Sequence, residues 1–173
     1  MLIIVNILLY KDIDSSCYEN DGKTLKKVND TSPYLIISAK CEKIANSCFS
    51  NLKSLESFSF EENPNLTTIE RSCFSSCSNL QIINLSSCTK LTTISNYAFY
   101  GCSKVTEILL PNGLKEIQSD AFQSNSEITT ITIPSSVEKI GSRAFEKCSK
   151  LTNVIFAEGL NLTSLVNYVF FRN

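Results

Sequence analysis

LKEIQSDAFQSNSEITTITIPSS, from Leu114 to Ser136, is followed at once by VEKIGSRAFEKCSKLTNVIF, from Val137 to Phe156. Leu114, Ile117, Ala121, Phe122, Ile128, Ile131 and Ile133 recur 23 residues later as Val137, Ile140, Ala144, Phe145, Leu151, Val154 and Phe156. An internal repeat of this length is one supersecondary unit that cannot bury its own apolar face, so copies must stack into a solenoid.

The same pattern extends in both directions. Aligned on the central aromatic, the copies carry Phe49, Phe74, Phe99, Phe122, Phe145 and Phe170, at spacings of 25, 25, 23, 23 and 25 residues. Five positions before each stands Ile44, Ile69, Ile94, Ile117, Ile140 or Leu165, and three before that Cys41, Leu66, Leu91, Leu114, Val137 or Leu162. Directly before the Phe is Cys48, Cys73, Ala98, Ala121, Ala144 or Val169. Six residues after it begins an apolar-x-x-apolar-x-apolar stretch whose end alternates strictly, the signature of a half-buried strand. Stacked copies would form a parallel sheet along one side, with the Phe and Ile columns inside. The Phe segment is expected to make a short helical turn opposite that sheet, with Ser119 and Asp120 as turn or N-cap residues. The 23-residue copies turn through Pro111-Asn112-Gly113 and Pro134-Ser135-Ser136. The longer copies carry Glu61 to Asn65, Ser86 to Lys90 and Ala157 to Asn161 at the same point, which should line one edge.

The motif Ile-x-x-x-Ala-Phe-x-x-Cys-x-x-Leu-x-x-Ile-x-Leu/Ile-Pro is nearly verbatim from Ile94 to Pro111. On this motif residues 41 to 173 resemble the BspA-like leucine-rich repeats. The Tyr18 to Leu25 phrase (Tyr-x-x-Asp-Gly-Lys-Thr-Leu) is similar to the segment preceding the repeats in protist members. The resemblance implies a bacterial or mucosal-protist cell-surface or secreted protein that takes part in adhesion to host proteins, including extracellular matrix, or to other cells. The expected fold is thus a right-handed leucine-rich-repeat solenoid, with a parallel sheet on one face and short helical turns or loops on the other. It comprises an irregular cap over residues 1-40 and an array over residues 41-173, with five full repeats and a truncated sixth. Because the last copy lacks a strand and a polar cap, either the chain is part of a longer array or another molecule covers its end.

The cap holds Asp21-Gly22 between two short stretches, a hairpin signal, and Pro33 bounds a short strand candidate at Tyr34 to Ile37. Met1 to Tyr10, MLIIVNILLY, is too short to span a bilayer as a helix; it reads either as the apolar core of a signal peptide or as a strand covering the open end.

Composition removes several function classes. Sixteen basic and seventeen acidic residues give a net charge of −1 without a basic stripe, which argues against a nucleic-acid partner. The chain has no His, so the His-based nucleophile arrangements and mixed Cys/His zinc sites are absent, and five scattered Gly build no phosphate loop. No catalytic residue, cofactor site or metal site is assigned, and the chain is not read as an enzyme.

Of eight Cys, six occupy repeat slots and read as small buried hydrophobes. Cys48, Cys73 and Cys77 fall short of the four ligands a thiolate zinc site needs. Cys88, in a connection, and Cys17, in the cap, read as the more reactive or pairable thiols. Asn29, Asn65, Asn84 and Asn161 begin glycosylation sequons at about the number chance supplies. The candidate partner-binding residues are the outward strand positions: Ser57, Ile82, Glu107, Thr130 and Asn153 in one column, and Ser59, Asn84, Leu109, Thr132 and Ile155 in the next. Two function readings remain open: a non-catalytic adhesion-type protein-binding module at the cell surface or secreted, and a cytoplasmic protein-interaction scaffold, the latter favoured by free thiols in a reducing compartment.

Overall fold

The computed structural model describes residues 10–166 and 168–170. The fate of the apolar start, Met1 to Leu9, lies outside them. The chain winds as a solenoid of short parallel strands and turns. The described residues contain a single helical element, a 3-10 turn at Ser15–Cys17 in which the Asp14 side chain accepts from the Ser16 amide.

In chain order the strands are β1 (Lys11–Asp12), β2 (Tyr18–Glu19), β3 (Thr24–Leu25), β4 (Tyr34–Ile37), β5 (Lys43–Ile44), β6 (Ser57–Phe60), β7 (Thr68–Ile69) and β8 (Ile82–Asn84). They continue with β9 (Thr93–Ile94), β10 (Glu107–Leu109), β11 (Glu116–Ile117), β12 (Thr130–Ile133), β13 (Lys139–Ile140), β14 (Asn153–Phe156) and β15 (Ser164–Leu165). The longer strands are those the alternation anticipates. They form the broad face in three hydrogen-bonded segments, β1-β4-β6, β8-β10 and β12-β14, all parallel.

A second ladder runs along the Ile column, where β3, β5, β7, β9, β11, β13 and β15 pair in parallel and keep Leu25, Ile44, Ile69, Ile94, Ile117, Ile140 and Leu165 in register. The antiparallel β2 closes its N-terminal end through Asn20-Asp21-Gly22, all three at positive φ. Residues ahead of the Phe-centred copies therefore stack as well: Leu25 lies beside Ile44, and Leu35 beside Phe58.

The Phe segments are hydrogen-bonded turns, not the helical turns expected from their sequence. The amide of Phe74 donates to the carbonyl of Ala98 at 2.7 Å and that of Phe99 to Ala121 at 2.8 Å, each in the following coil. An amide spent on the next coil cannot close a helical turn of its own chain. The residues two before and two after the Phe adopt left-handed backbone, as at Asp120 (φ 59) and Ser124 (φ 64), which turns those amides sideways. Inside, Phe49, Phe74, Phe99, Phe122, Phe145 and Phe170 stack face to face at 4.4 to 5.5 Å between ring centroids. The connections align on one edge as their shared position requires. Gly113 packs so tightly there that a Cβ would stand 2.4 Å from the carbonyl oxygen of Thr89.

Candidate functional site

The strand face is built by alternation. Phe58, Ile83, Ile108 and Ile131 point into the core, so their neighbours in sequence point to water. Register sets Ile82 beside Glu107, Asn84 beside Leu109, Thr130 beside Asn153 and Thr132 beside Ile155. Ser57 and Ser59 stand half-buried at the other end, beside Tyr34 and Ile36 of β4. All ten expected positions thus lie on one surface. Three are apolar yet exposed: Ile82 (38%), Leu109 (37%) and Ile155 (51%).

Tyr34 and Ile36 extend the two columns by one strand and were not among the expected residues. Their signal was the alternation after Pro33, but no Phe-centred turn precedes them. Tyr10 packs its ring against Tyr34, 5.6 Å between centroids, and shares a hydrogen bond with the Ser57 hydroxyl at 2.8 Å.

Two clefts interrupt the face, each where the ladder between neighbouring strands is broken. One, of about 190 Å³, lies between β6 and β8 and is lined by Tyr10, Ser57, Phe60, Ile82, Asn84 and Ser87 among others. The other, of about 330 Å³, lies between β10 and β12 and is lined by Thr106, Glu107, Leu109, Thr129, Thr130 and Thr132 as well as Ile108. The carboxylate of Glu56 is held at the face's margin by the Tyr34 hydroxyl (3.0 Å) and the Gln81 amide (3.2 Å). Asn84 is exposed, its side-chain oxygen accepting from the Ser86 amide (3.1 Å) and hydroxyl (2.7 Å).

No disulfide joins the eight cysteines, all of which lie among the described residues. Cys88 is a correction to the expectation of a reactive thiol. It is fully buried in the core, and burial pushes its pKa up to about 12, so it presents no thiolate at neutral pH. Only Cys17 is partly exposed. Cysteines in the third place after the Phe have a polar task that composition did not reveal. Cys77, Cys102 and Cys148 donate their thiol hydrogens to the carbonyls of Phe49, Phe74 and Phe122 one coil back, at 3.1, 3.2 and 3.3 Å. Asn125 fills the same slot and donates to the Phe99 carbonyl at 3.0 Å.

The geometry defines a leucine-rich-repeat solenoid whose displayed surface is a regular grid of strand side chains. The chain belongs to the family described as the BspA type leucine rich repeat region, which it matches in six copies over residues 11–152 and 84–173. Its fold is similar to that of the pneumococcal vaccine antigen PcpA (24% identity, TM-score 0.68, 86% of this chain and 36% of that one). It is also similar to a leucine rich cell surface protein from Faecalibacterium prausnitzii (20% identity, TM-score 0.54, 78% and 42%) and to a leucine-rich repeat protein from Bacteroides ovatus (20%, 0.50, 86% and 47%). The chain spans under half the length of each of these three. No curated protein matches it at a significant level. No helix among the described residues is long and apolar enough to cross a membrane.

Proposed function

We propose that the chain is a non-catalytic protein-binding module of a cell-surface or secreted adhesion protein, and that it binds through the strand face. The observation that carries this reading is the pair of outward columns, in which Ile82, Leu109 and Ile155 stay exposed in a polar grid. Exposed apolar side chains held on rigid strands lose little entropy when a partner covers them, so they supply binding energy that solvated Thr or Ser cannot. The surface placement is supported by the family and by the printed description of one structural neighbour as a cell surface protein. On this reading the partner is a protein, such as a host or extracellular matrix protein, and residues 1-40 cap an array that runs over residues 41-173.

The test combines cell fractionation with binding to a panel of immobilised matrix proteins. Chain accessible to protease on intact cells, together with saturable binding to a panel member, supports the proposal. The alternative, an intracellular scaffold, draws on the absence of a disulfide among eight cysteines. Chain found only in the cytosol, with no matrix protein bound, selects it.

A further inference from the structure

We infer that the cleft between β6 and β8, at the N-terminal end of the strand face, is a sugar-binding site that takes a neutral N-acetylhexosamine residue of a glycan. This goes beyond the protein-binding reading: it assigns a ligand of another chemistry to one part of the face, and it stands whether or not a protein covers the rest.

Size sets the first limit. The cleft measures about 190 Å³, below the ~300 to 1,000 Å³ of pockets that enclose a drug-sized ligand, so it seats a single ring. Charge sets the second. No Asp, Glu, Lys or Arg is among the described residues that line it. The Glu56 carboxylate, just before Ser57, is held outside the lining by the Tyr34 hydroxyl and the Gln81 amide. A charged ligand would therefore give up water in the cleft without meeting an opposite charge there, whereas a neutral one loses nothing by it.

The polar groups decide the class of ligand. The side-chain oxygen of Asn84 accepts from the amide and hydroxyl of Ser86, which leaves the two hydrogens of its amide nitrogen without a partner among the described residues. The hydroxyls of Tyr10 and Ser57 share one hydrogen bond at 2.8 Å, so one of their two hydrogens stays free. The Ser59 hydroxyl makes only a long contact, 3.4 Å, to the Phe60 carbonyl and keeps its oxygen open as an acceptor. Tyr10, Phe60 and Ile82 supply apolar surface in the same lining. Hydroxyls that both donate and accept, set around an apolar C–H face, match that mixture of open polar groups and rings. The acetamido group adds a carbonyl for the Asn84 amide and a methyl for Ile82, its outward neighbour on β8. An apolar side chain from a protein partner would instead cover the Asn84 amide without giving it an acceptor.

The probes are methyl N-acetyl-β-glucosaminide and methyl N-acetyl-β-galactosaminide, each titrated into the whole chain and followed by saturation-transfer NMR. At least one should bind saturably, with the acetamido methyl receiving the strongest transfer. Asn84→Asp keeps the oxygen that Ser86 uses but removes the amide donor, and should weaken binding at least about tenfold. Leu109→Ser, at the other cleft, should leave it unchanged. Methyl β-glucoside, which lacks the acetamido group, and methyl β-glucuronide, which is anionic, should each bind at least about tenfold more weakly. Circular dichroism establishes that each variant is folded. No saturable binding of either glycoside, wild-type affinity in Asn84→Asp, an equal loss in Leu109→Ser, or equal binding of the glucoside or the glucuronide overturns the inference. If neither glycoside binds while a matrix protein still loses affinity for Leu109→Ser, the inference alone falls. If a glycoside binds as expected while no strand-face substitution alters matrix-protein binding, the protein-binding reading falls and the sugar site stands.

Discussion

The thiol of Cys102 donates to the main-chain carbonyl of Phe74, 3.2 Å away and one coil back. That carbonyl already accepts from the Cys77 amide at 3.2 Å, so the thiol occupies its second lone pair inside the coil. Cysteine here is therefore a small side chain that both fills the core and supplies a weak donor, which alanine could not do.

The buried thiols make stability sensitive to alkali. Seven cysteines are buried; burial pushes Cys41 up to about 11, and Cys77, Cys88 and Cys148 up to about 12, with Cys48, Cys73 and Cys102 raised as well. In the unfolded chain a thiol ionises near about 8.5. The folded state thus holds its thiol protons where the unfolded state releases them. The resulting stability is complete below about 8.5 and declines as pH rises toward the folded values. Each thiol removes about 1.4 kcal/mol per pH unit in that window. Seven acting together should unfold the chain between about pH 9 and pH 10, given a total stability of about 5 to 15 kcal/mol. A circular-dichroism pH titration under reducing conditions checks this. The double variant Cys48→Ala/Cys73→Ala, whose column already holds Ala98, Ala121 and Ala144, should move the midpoint upward. A chain that stays folded through pH 11 contradicts the account.

Asn125 occupies the thiol slot imperfectly. Its amide nitrogen reaches the carbonyls of Phe99 and Phe122, but its buried oxygen has no hydrogen-bond partner. The Phe122 carbonyl also receives the Cys148 thiol. Asn125→Cys therefore keeps both carbonyls satisfied and removes the orphaned oxygen. A gain of about 1 kcal/mol in urea unfolding is expected; a loss of similar size would show that the oxygen has a partner in solution.

The Phe stack should respond according to position. Phe122 is fully buried between Phe99 and Phe145, each 5.4 Å away. Phe122→Ala should cost about 3 to 5 kcal/mol. Phe170, half-buried against Phe145 alone among the rings of the stack, should cost less than half as much when truncated. Equal losses in denaturant melts would mean that the column is not continuous.

Asp120 and Arg143 form the most enclosed ion pair among the described residues. The guanidinium meets both carboxylate oxygens, at 2.7 and 3.2 Å, while the Asp120 side chain is only 3% exposed. Arg143→Ala strands that carboxylate and should lower the urea midpoint, and adding Asp120→Asn should recover part of the loss. Strictly additive losses in the double variant would show that the two side chains are not coupled.

The columns were legible because each is a single apolar slot repeated at nearly constant spacing, and the alternation from Ile128 to Ile133 placed the strand face directly. The second ladder was not, because a two-residue strand such as Glu116–Ile117 is too short to display a period. The Phe turns were misread as helical because, Gly101 apart, their left-handed positions hold residues such as Ser, Asp and Tyr, which carry none of the glycine signal that usually marks such backbone. Cys88 was misjudged because it lies in a connection of variable length, where sequence alone does not separate an exposed loop from one folded back over the core. The clefts depend on where the ladder breaks, and nothing in the spacing of the Phe residues announces those breaks.

The most direct measurement compares two folded variants for binding to a matrix protein captured by the wild-type chain. One carries Ile82→Asp and Leu109→Asp on the strand face, and the other Ser124→Asp and Lys147→Glu on the Phe-turn edge. A loss of at least about tenfold for the first, with wild-type affinity for the second, is the predicted result. Unchanged binding for the first, or a loss confined to the second, would contradict the assignment of the strand face as the binding surface.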